Sequence, residues 1–154
     1  MQRSKRLQPV LDLARQKSRE GMQAVAYIQH RLEEEVGKLE QLRVCQKEYN
    51  TFDKNDKKQS FNALSLRGLR EFNANVEVAI QQQSRQVQAV RLQLQQVREQ
   101  WRQLDARSQG LEKTQQKIRQ EELRLQDRIE QRDQDEFIQQ LNLNKPGISG
   151  HKPS

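Results

Sequence analysis

The chain has 154 residues, of which 32% are hydrophobic, 5% aromatic and 32% charged, and its formal net charge is +7 at pH 7. This small share of apolar side chains cannot offset the conformational entropy lost when a compact globular domain of this length is ordered. The composition therefore leaves two classes open. One is a disordered chain, and the other is a helical protein whose core is a narrow apolar seam.

The helix formers and the placement of the helix breakers favour the helical class. The sequence is rich in Gln, Arg, Leu, Glu and Lys, which are all good helix formers, and it contains only 6 glycines and 3 prolines. No proline lies between Pro9 and Pro146. We therefore predict an all-α protein built from two long helices.

The first helix is predicted at about residues 8–52, with Pro9 in its first turn, where the missing N–H is not needed. Apolar residues then recur at alternating spacings of three and four, as in a coiled-coil seam. The two rows are Leu11, Ser18, Val25, Leu32, Leu39, Gln46 and Leu7, Ala14, Gly21, Ile28, Glu35, Leu42, Tyr49. Ser18, Gly21, Glu35 and Gln46 break the apolar rule, so the seam is imperfect.

A polar segment at residues 53–60 predicts the turn, and Ser60 is suited to cap the helix that follows. The second helix is predicted at about 61–141, so residues 1–141 form one antiparallel coiled-coil hairpin, and residues 142–154 form a disordered tail. The rows of its seam are Leu69, Val76, Gln83, Val90, Val97, Leu104, Leu111, Ile118, Leu125 and Asn73, Ile80, Val87, Leu94, Trp101, Ser108, Gln115, Glu122, Ile129.

A short turn between two seamed helices favours antiparallel pairing. A turn centred near residues 57–58 places Trp101 against Ala14 and Leu7 opposite Ser108. The second helix then extends past the first by about 30 residues, or ~45 Å at 1.5 Å per residue. This overhang leaves an uncovered apolar stripe, which favours docking on another protein over a frayed, solvated helix: Leu111, Ile118, Leu125 and Ile129.

The residue patterns of catalysis and cofactor binding are missing from the sequence. It has no Gly-rich phosphate-binding motif. His30 and His151 are isolated, and Cys45 has no second soft ligand for zinc. We therefore expect no catalytic residue, no cofactor, no metal and no small-molecule ligand, so the protein is expected not to be an enzyme.

The charge pattern and the cysteine count point to a cytoplasmic protein that binds proteins. Residues 78–98 carry Arg85, Arg91 and Arg98 without an acid, but no aromatic residue interleaves with them. Single-stranded nucleic acid would therefore find no stacking platform, and we expect no nucleic-acid partner. The N-terminus lacks the apolar region of a signal peptide, no segment is long and apolar enough to span a bilayer, and the lone Cys45 suits a reducing compartment.

Several segments, taken in order, resemble one family. They are Leu7 to Ala14, Leu39 to Tyr49, Phe72, the Ala79-Ile80 pair with its glutamines, Trp101 in a basic stretch, and the acidic end from Glu130 to Phe137. In order, spacing and length the chain resembles FliJ, a coiled-coil component of the bacterial flagellar type III export apparatus.

The resemblance implies a non-catalytic stalk that binds the hexameric export ATPase, promotes assembly of its ring, and links it to the transmembrane export gate and to export chaperones. It implies a cytoplasmic protein that associates peripherally with the inner membrane at the flagellar base. By this resemblance the chain ends enter the ATPase ring. The residues expected to bind it are Leu7, Leu11, Trp101, Leu111, Ile118, Leu125 and Ile129.

The family's contact with the export gate lies near the turn, on two facing stripes. Carried over by motif, it falls on Lys38, Leu42, Cys45, Tyr49, Phe72, Val76, Ala79 and Gln83. Cys45 and Gln83 depart from the aromatic residue and the histidine expected there. The register above would bury Leu42, Tyr49 and Val76 in the seam. Either the seam rotates near the turn, or these side chains lie half-exposed at its edge, and the wide apolar surface near the turn favours the second. Two alternatives stay open: the homologous stalk of a virulence type III secretion system, and a generic coiled-coil scaffold.

Overall fold

A computed structural model of the chain describes residues 2–56 and 63–144. Helix α1 runs through Gln2–Asp56 and helix α2 through Ala63–Leu143. Within these two described ranges every residue except Asn144 is helical, and there is no strand. The two helices pack against each other in antiparallel directions, so the prediction of an all-α hairpin with a longer second helix is confirmed.

Parts of the predicted connections lie outside the described residues. These are the turn positions from residue 57 onward, the proposed cap Ser60, and the predicted tail from residue 145 onward. Pro9 lies inside α1 and not in its first turn, although a proline there removes the backbone hydrogen bond to the carbonyl of Lys5. Contacts between Ser4 and α2, described below, hold the turn of helix that precedes Pro9.

The packing divides the hairpin into two units. The end unit consists of Met1–Arg15 and Ala106–Ser154, and the turn unit consists of Gln16–Asp105. In each unit a segment of α1 packs against a segment of α2. Each helix buries one stripe and exposes the rest of its surface, as expected for a two-helix contact.

The apolar core of each unit lies on this stripe. In the turn unit the buried apolar residues are Leu39, Val76, Val87, Val90 and Leu94, and in the end unit they are Leu11 and Ala14. All of them belong to the seam rows predicted from the sequence. Burial of a Val or Leu side chain contributes roughly 1.5–3 kcal/mol, so each buried Val or Leu of the seam stabilises the hairpin by an amount of this order.

The predicted pairing of the helices is wrong by one heptad. Trp101 was expected against Ala14, but it lies against Gly21, seven residues further along α1. A Cβ on Gly21 would lie 3.3 Å from Cδ1 of Trp101 and 3.3 Å from Cδ1 of Leu104. Because seam residues recur every seven positions, a shift of one heptad leaves the same residues in the seam and changes only their partners.

Two of the polar residues that break the seam of α1, Ser18 and Glu35, have partners on α2 in the turn unit. Ser18 is buried and donates a hydrogen bond to a carboxylate oxygen of Asp105 at 3.2 Å. Gln83 donates to the backbone carbonyl of Glu35 at 2.9 Å and also to its carboxylate. Buried polar groups are tolerated when they are hydrogen-bonded in this way, which explains why the seam stays closed at these positions.

The shifted register also corrects the expected overhang. Ser4 donates from its hydroxyl to Glu122 at 2.7 Å and from its backbone N–H at 3.2 Å. Gln115 is buried and donates to the carbonyl oxygen of Ser4 at 3.1 Å and to the side chain of Gln8 at 2.6 Å. The polar row of α2 is therefore paired with the start of α1 at Gln115 and Glu122, and its third member, Ser108, is buried. It does not mark the place where α1 ends.

Replacement of Gly21 by Leu tests the shifted register. The new side chain would meet Trp101 and Leu104, so we expect the free energy of unfolding to fall by roughly 1–3 kcal/mol. The matched control is Gly37→Leu, because a Cβ on Gly37 would have no atom of the facing helix within 4 Å and leucine has the better helix propensity. Urea unfolding followed by circular dichroism measures both variants. Equal stabilities for the two would contradict the pairing of Gly21 with Trp101.

Candidate partner-binding surfaces

All eight residues proposed for the export-gate contact lie in the turn unit. On α1, Leu42, Cys45 and Tyr49 are half-buried and Lys38 is exposed; on α2, Val76 is buried, Ala79 and Gln83 are half-buried, and Phe72 is exposed. Each set follows spacings of three and four, so it lies on one side of its helix. The structure therefore places most of these side chains at the edge of the seam, accessible in part and packed in part.

An aromatic pair joins the two helices on this surface. The ring centroids of Tyr49 and Phe72 are 6.2 Å apart, with the ring planes tilted by 44°. Phe72 is 48% exposed, while Tyr49 is half-buried. Contact between aromatic rings at this distance is favourable, so Tyr49 holds the Phe72 ring in place while leaving about half of Phe72 available to a partner.

A polar cluster of Gln83, Glu35 and Lys38 lies at the other end of the same surface. The ammonium of Lys38 is 3.5 Å from the carboxylate of Glu35, whose side chain is only 12% exposed. The hydrogen bond from Gln83 and the charge of Lys38 hold the pKa of Glu35 below its ordinary value of 4.5, although burial acts in the opposite direction. The amide of Gln83 is thus engaged within the hairpin, and it offers mainly its oxygen to a partner.

The residues proposed for ATPase binding differ in accessibility. In the end unit Leu11 is fully buried, and Leu7, Leu111 and Ile118 are half-buried against the facing helix. Only Leu125 and Ile129 are well exposed, at 59% and 50%. The expectation that Leu111 and Ile118 lie uncovered is wrong, because α1 begins at Gln2 and its first turns pack on this part of α2.

Trp101, which was assigned to the same partner, lies in the turn unit. It is half-buried, and its Cα and Cδ1 approach Gly21. It therefore serves first as a packing residue of the hairpin.

Sequence reasoning missed two features of the end unit. One is the attachment of the N-terminus of α1 to Glu122, which sets the start of the uncovered part of α2. Burial alone would raise the pKa of Glu122, but hydrogen bonds from the hydroxyl and the backbone N–H of Ser4 outweigh it, and the pKa lies below its ordinary value of 4.5. One signal for this contact was present in the sequence. The first turn of α1 contains no acidic residue, and a carboxylate is favourable near a helix N-terminus, so Glu122 at a seam position of α2 was a candidate to supply it.

The second missed feature is the apolar content of the last turns of α2. Phe137 is 62% exposed, Ile138 53% and Leu141 48%. The spacing of Phe137 and Leu141 by four residues was the available signal. In the described ranges all residues from 123 to 144 are exposed, so α1 covers none of this segment.

The described residues offer neither a metal-binding cluster nor a membrane-spanning helix. No group of three or more His, Cys, Asp or Glu side chains there could hold a metal ion. Neither described helix is both long and apolar enough to cross a bilayer.

The fold and these surfaces define a class: antiparallel helical hairpins whose second helix continues beyond the first. A family model described as "Flagellar FliJ protein" matches residues 3–147, which is nearly the whole chain. The chain belongs to the FliJ family, a family of the flagellar type III export apparatus. Neither the curated proteins nor the solved structures yield a significant match.

The lowered pKa of Glu35 predicts a pH-dependent contribution to stability. Because the folded-state pKa lies below the unfolded one, the contribution is complete above the ordinary value of 4.5 and is lost as the pH falls through the folded-state value. We expect Gln83→Ala to raise the pKa of Glu35 and to destabilise the hairpin at neutral pH, and much of that difference to vanish at about pH 3.

Carbon-13 NMR titration of the Glu35 carboxyl and urea unfolding at both pH values measure these effects. The exposed Gln88 provides the control, since Gln88→Ala should change neither the titration nor its pH dependence. A destabilisation by Gln83→Ala that is equal at both pH values would mean that the hydrogen bond does not depend on the charge of Glu35.

Proposed function

We propose that this protein is the stalk of the flagellar export ATPase. In this role it binds the ATPase ring, promotes ring assembly, and connects the ring to the export gate. Membership of the FliJ family supports the export role. The single structural observation that carries the stalk role is the unequal hairpin, in which α2 continues past Glu122 to Leu143 with an exposed apolar surface.

A ring of subunits has a central channel. A single helix fits into a channel that is too narrow for a pair of helices. An α-helix with its side chains is about 10–12 Å across. The segment of α2 beyond Glu122 is the part of the described chain that meets this requirement, because it is helical and uncovered. Leu125 and Ile129, spaced by four residues, give it an apolar stripe for contact with the inside of the ring.

The surface near the turn is proposed to bind the export gate. Phe72, half-exposed and supported by Tyr49, supplies the kind of aromatic anchor that dominates the energy of many protein interfaces. Leu42 and Ala79 add apolar area at the edge of the seam, and the exposed ammonium of Lys38 adds a charge at the rim. The presence of Cys45 and Gln83 in place of an aromatic residue and a histidine makes this surface smaller and more polar than the family resemblance implies.

Export chaperones are the third proposed class of partner, again on the basis of family membership. The same proposal places the protein in the cytoplasm, held at the inner membrane of the flagellar base through its partners.

The ATPase contact is tested with the purified flagellar export ATPase. We expect the wild-type chain to promote hexamer formation and to raise the rate of ATP hydrolysis. The double variant Leu125→Asp, Ile129→Asp should lose most of this stimulation, since two charges would be placed in an apolar interface. Helicity should remain unchanged because both side chains are exposed.

The control for this test is Leu92→Asp, which changes a side chain of similar exposure (57%, against 59% for Leu125) in the turn unit. Stimulation that survives the double variant would exclude this stripe as the docking surface. Changes at Leu111 or Ile118 are less informative, because they would also weaken the hairpin.

The gate contact is tested with the cytoplasmic domain of the export gate. Phe72→Ala should weaken binding by roughly 1–3 kcal/mol, as expected for the loss of an aromatic anchor, while thermal unfolding changes little. Val44→Ala is the control, since Val44 is 53% exposed and belongs to neither stripe. Isothermal titration calorimetry measures both. Equal affinity for Phe72→Ala and Val44→Ala would remove Phe72 from the contact.

A further inference from the structure

The first turns of α1 carry an exposed stripe with cations at one end and apolar residues at the other. Arg3, Arg6, Val10 and Leu13 follow spacings of three, four and three, so they lie on one side of the helix. All four are exposed, with Val10 at 42% and Leu13 at 52%. This stripe lies off the seam, where Leu11 and Ala14 are buried. We call it the basic stripe.

The uncovered part of α2 carries a stripe with the opposite charge. Asp127, Glu130, Gln134 and Phe137 follow the same spacings of three, four and three, and all four are exposed, with Phe137 at 62%. Leu141, 48% exposed, continues the stripe by four residues. Arg128 and Arg132 lie on the other side of the helix, and Arg124 lies one turn before Asp127, ahead of the first residue of the stripe. We call this the acidic stripe.

The two stripes match residue by residue when their helices are aligned in parallel. Placing Arg3 beside Asp127 also places Arg6 beside Glu130, Val10 beside Gln134, and Leu13 beside Phe137. Two opposite charges meet at one end and two large apolar side chains meet at the other. In coiled coils, ion pairs between facing helices set partner choice and orientation, and apolar pairs supply the packing.

The two stripes cannot meet within one molecule. Ser4 is hydrogen-bonded to Glu122, and α1 is antiparallel to α2. Leu13 therefore lies beside residues of α2 that precede Glu122 in the sequence, whereas Phe137 lies on the opposite side of Glu122 along the helix. Phe137 is fifteen residues beyond Glu122, or ~22 Å along the helix. The complement of each stripe must therefore come from another molecule.

We propose that the end unit binds a second copy of this chain, with the basic stripe of each copy on the acidic stripe of the other. Within one copy α1 and α2 are antiparallel. If the α2 of the second copy lies parallel to α1 of the first, the two α2 helices therefore run antiparallel to each other. A two-fold axis relates two copies arranged in this way, so the same contact forms twice in the dimer. The uncovered segment of each α2 is then covered by the end unit of the partner.

This inference does not rest on the proposed stalk role, and it concerns a different side of α2. Leu125 and Ile129, proposed to contact the ATPase, lie off the acidic stripe. The dimer nevertheless occupies the helix that would enter the ring. A chain in the dimer therefore cannot at the same time be inserted in the ATPase ring. The ATPase and a second copy compete for the segment of α2 beyond Glu122.

The charge contacts are tested by sedimentation of the full chain at low ionic strength. Arg6→Glu and Glu130→Arg should each weaken the dimer by about three- to tenfold, because each reversal acts at two places in a symmetric dimer. The double variant restores both ion pairs and should return the dissociation constant to within about threefold of the wild type. An equimolar mixture of the two single variants should also restore dimerisation, since in the mixed dimer positions 6 and 130 carry opposite charges at both of their contacts.

The apolar contact is tested by Phe137→Asp, which should weaken the dimer by at least about tenfold. Leu125→Asp is the matched control, since Leu125 has similar exposure (59%) but lies off the stripe. Leu125→Asp should reduce ATPase stimulation and leave the dimer intact. The two variants thereby separate failure of this proposal from failure of the stalk proposal.

The register is tested by disulfide formation in a chain that carries Cys45→Ser, Leu13→Cys and Phe137→Cys. Under mild oxidation it should form a covalent dimer, because the two positions are too far apart within one molecule for a disulfide. Replacing Leu13→Cys by Asp12→Cys moves the thiol off the stripe and should remove most of the cross-link.

Three results would overturn the proposal. The first is a chain that stays monomeric up to roughly 100 μM at low salt, where ion pairs are least screened. The second is a dimer that neither charge reversal affects. The third is equal cross-linking from positions 12 and 13.

Discussion

The single apolar stripe that each helix presents to the other is the constraint on which the rest of the molecule depends. With so few hydrophobic residues, the chain can close only one seam, and nearly all of its remaining surface is left to solvent or to partners. The buried set from Leu11 to Leu94 is small, and the gaps between its members are closed by hydrogen bonds. The residues at the seam positions therefore determine both the stability of the hairpin and the amount of helix surface that is left for partners.

The polar seam positions show how this choice operates. In the turn unit Ser18 and Glu35 have partners on α2, and in the end unit Ser4 and Gln8 do the same. A polar pair in a helical seam contributes less stability than an apolar pair, but it specifies its partner because a mismatched neighbour leaves a buried polar group without a hydrogen bond. The close approach of Trp101 to Gly21 also specifies the partner, because a larger residue in place of Gly21 would collide with the Trp101 side chain. Together these contacts select one heptad register among several that the apolar residues alone would accept.

Much of the fold could be predicted from the sequence, because it follows from periodicity. The spacing of the seam rows identified the buried residues, and the absence of proline between Pro9 and Pro146 indicated long helices. The register could not be predicted this way, since seven-residue repeats are equivalent under a shift of seven. Individual contacts such as that of Ser4 with Glu122 decide it, and they depend on three-dimensional geometry. The error in register carried over to the sites: Leu111 and Ile118 were taken as uncovered, whereas the placement of Tyr49 and Phe72 near the turn was little affected.

The heptad register also has a consequence for how chains of this kind can change in length. Insertion or deletion of seven residues in one helix returns every later seam residue to the same side, and only the partners change. Insertion of one or two residues turns the rest of the helix by about 100° or 200° and carries the seam out to solvent. Length variation among related hairpins should therefore occur mostly in steps of seven, or be confined to the turn and to the part of α2 beyond Glu122, where no opposing helix has to be matched.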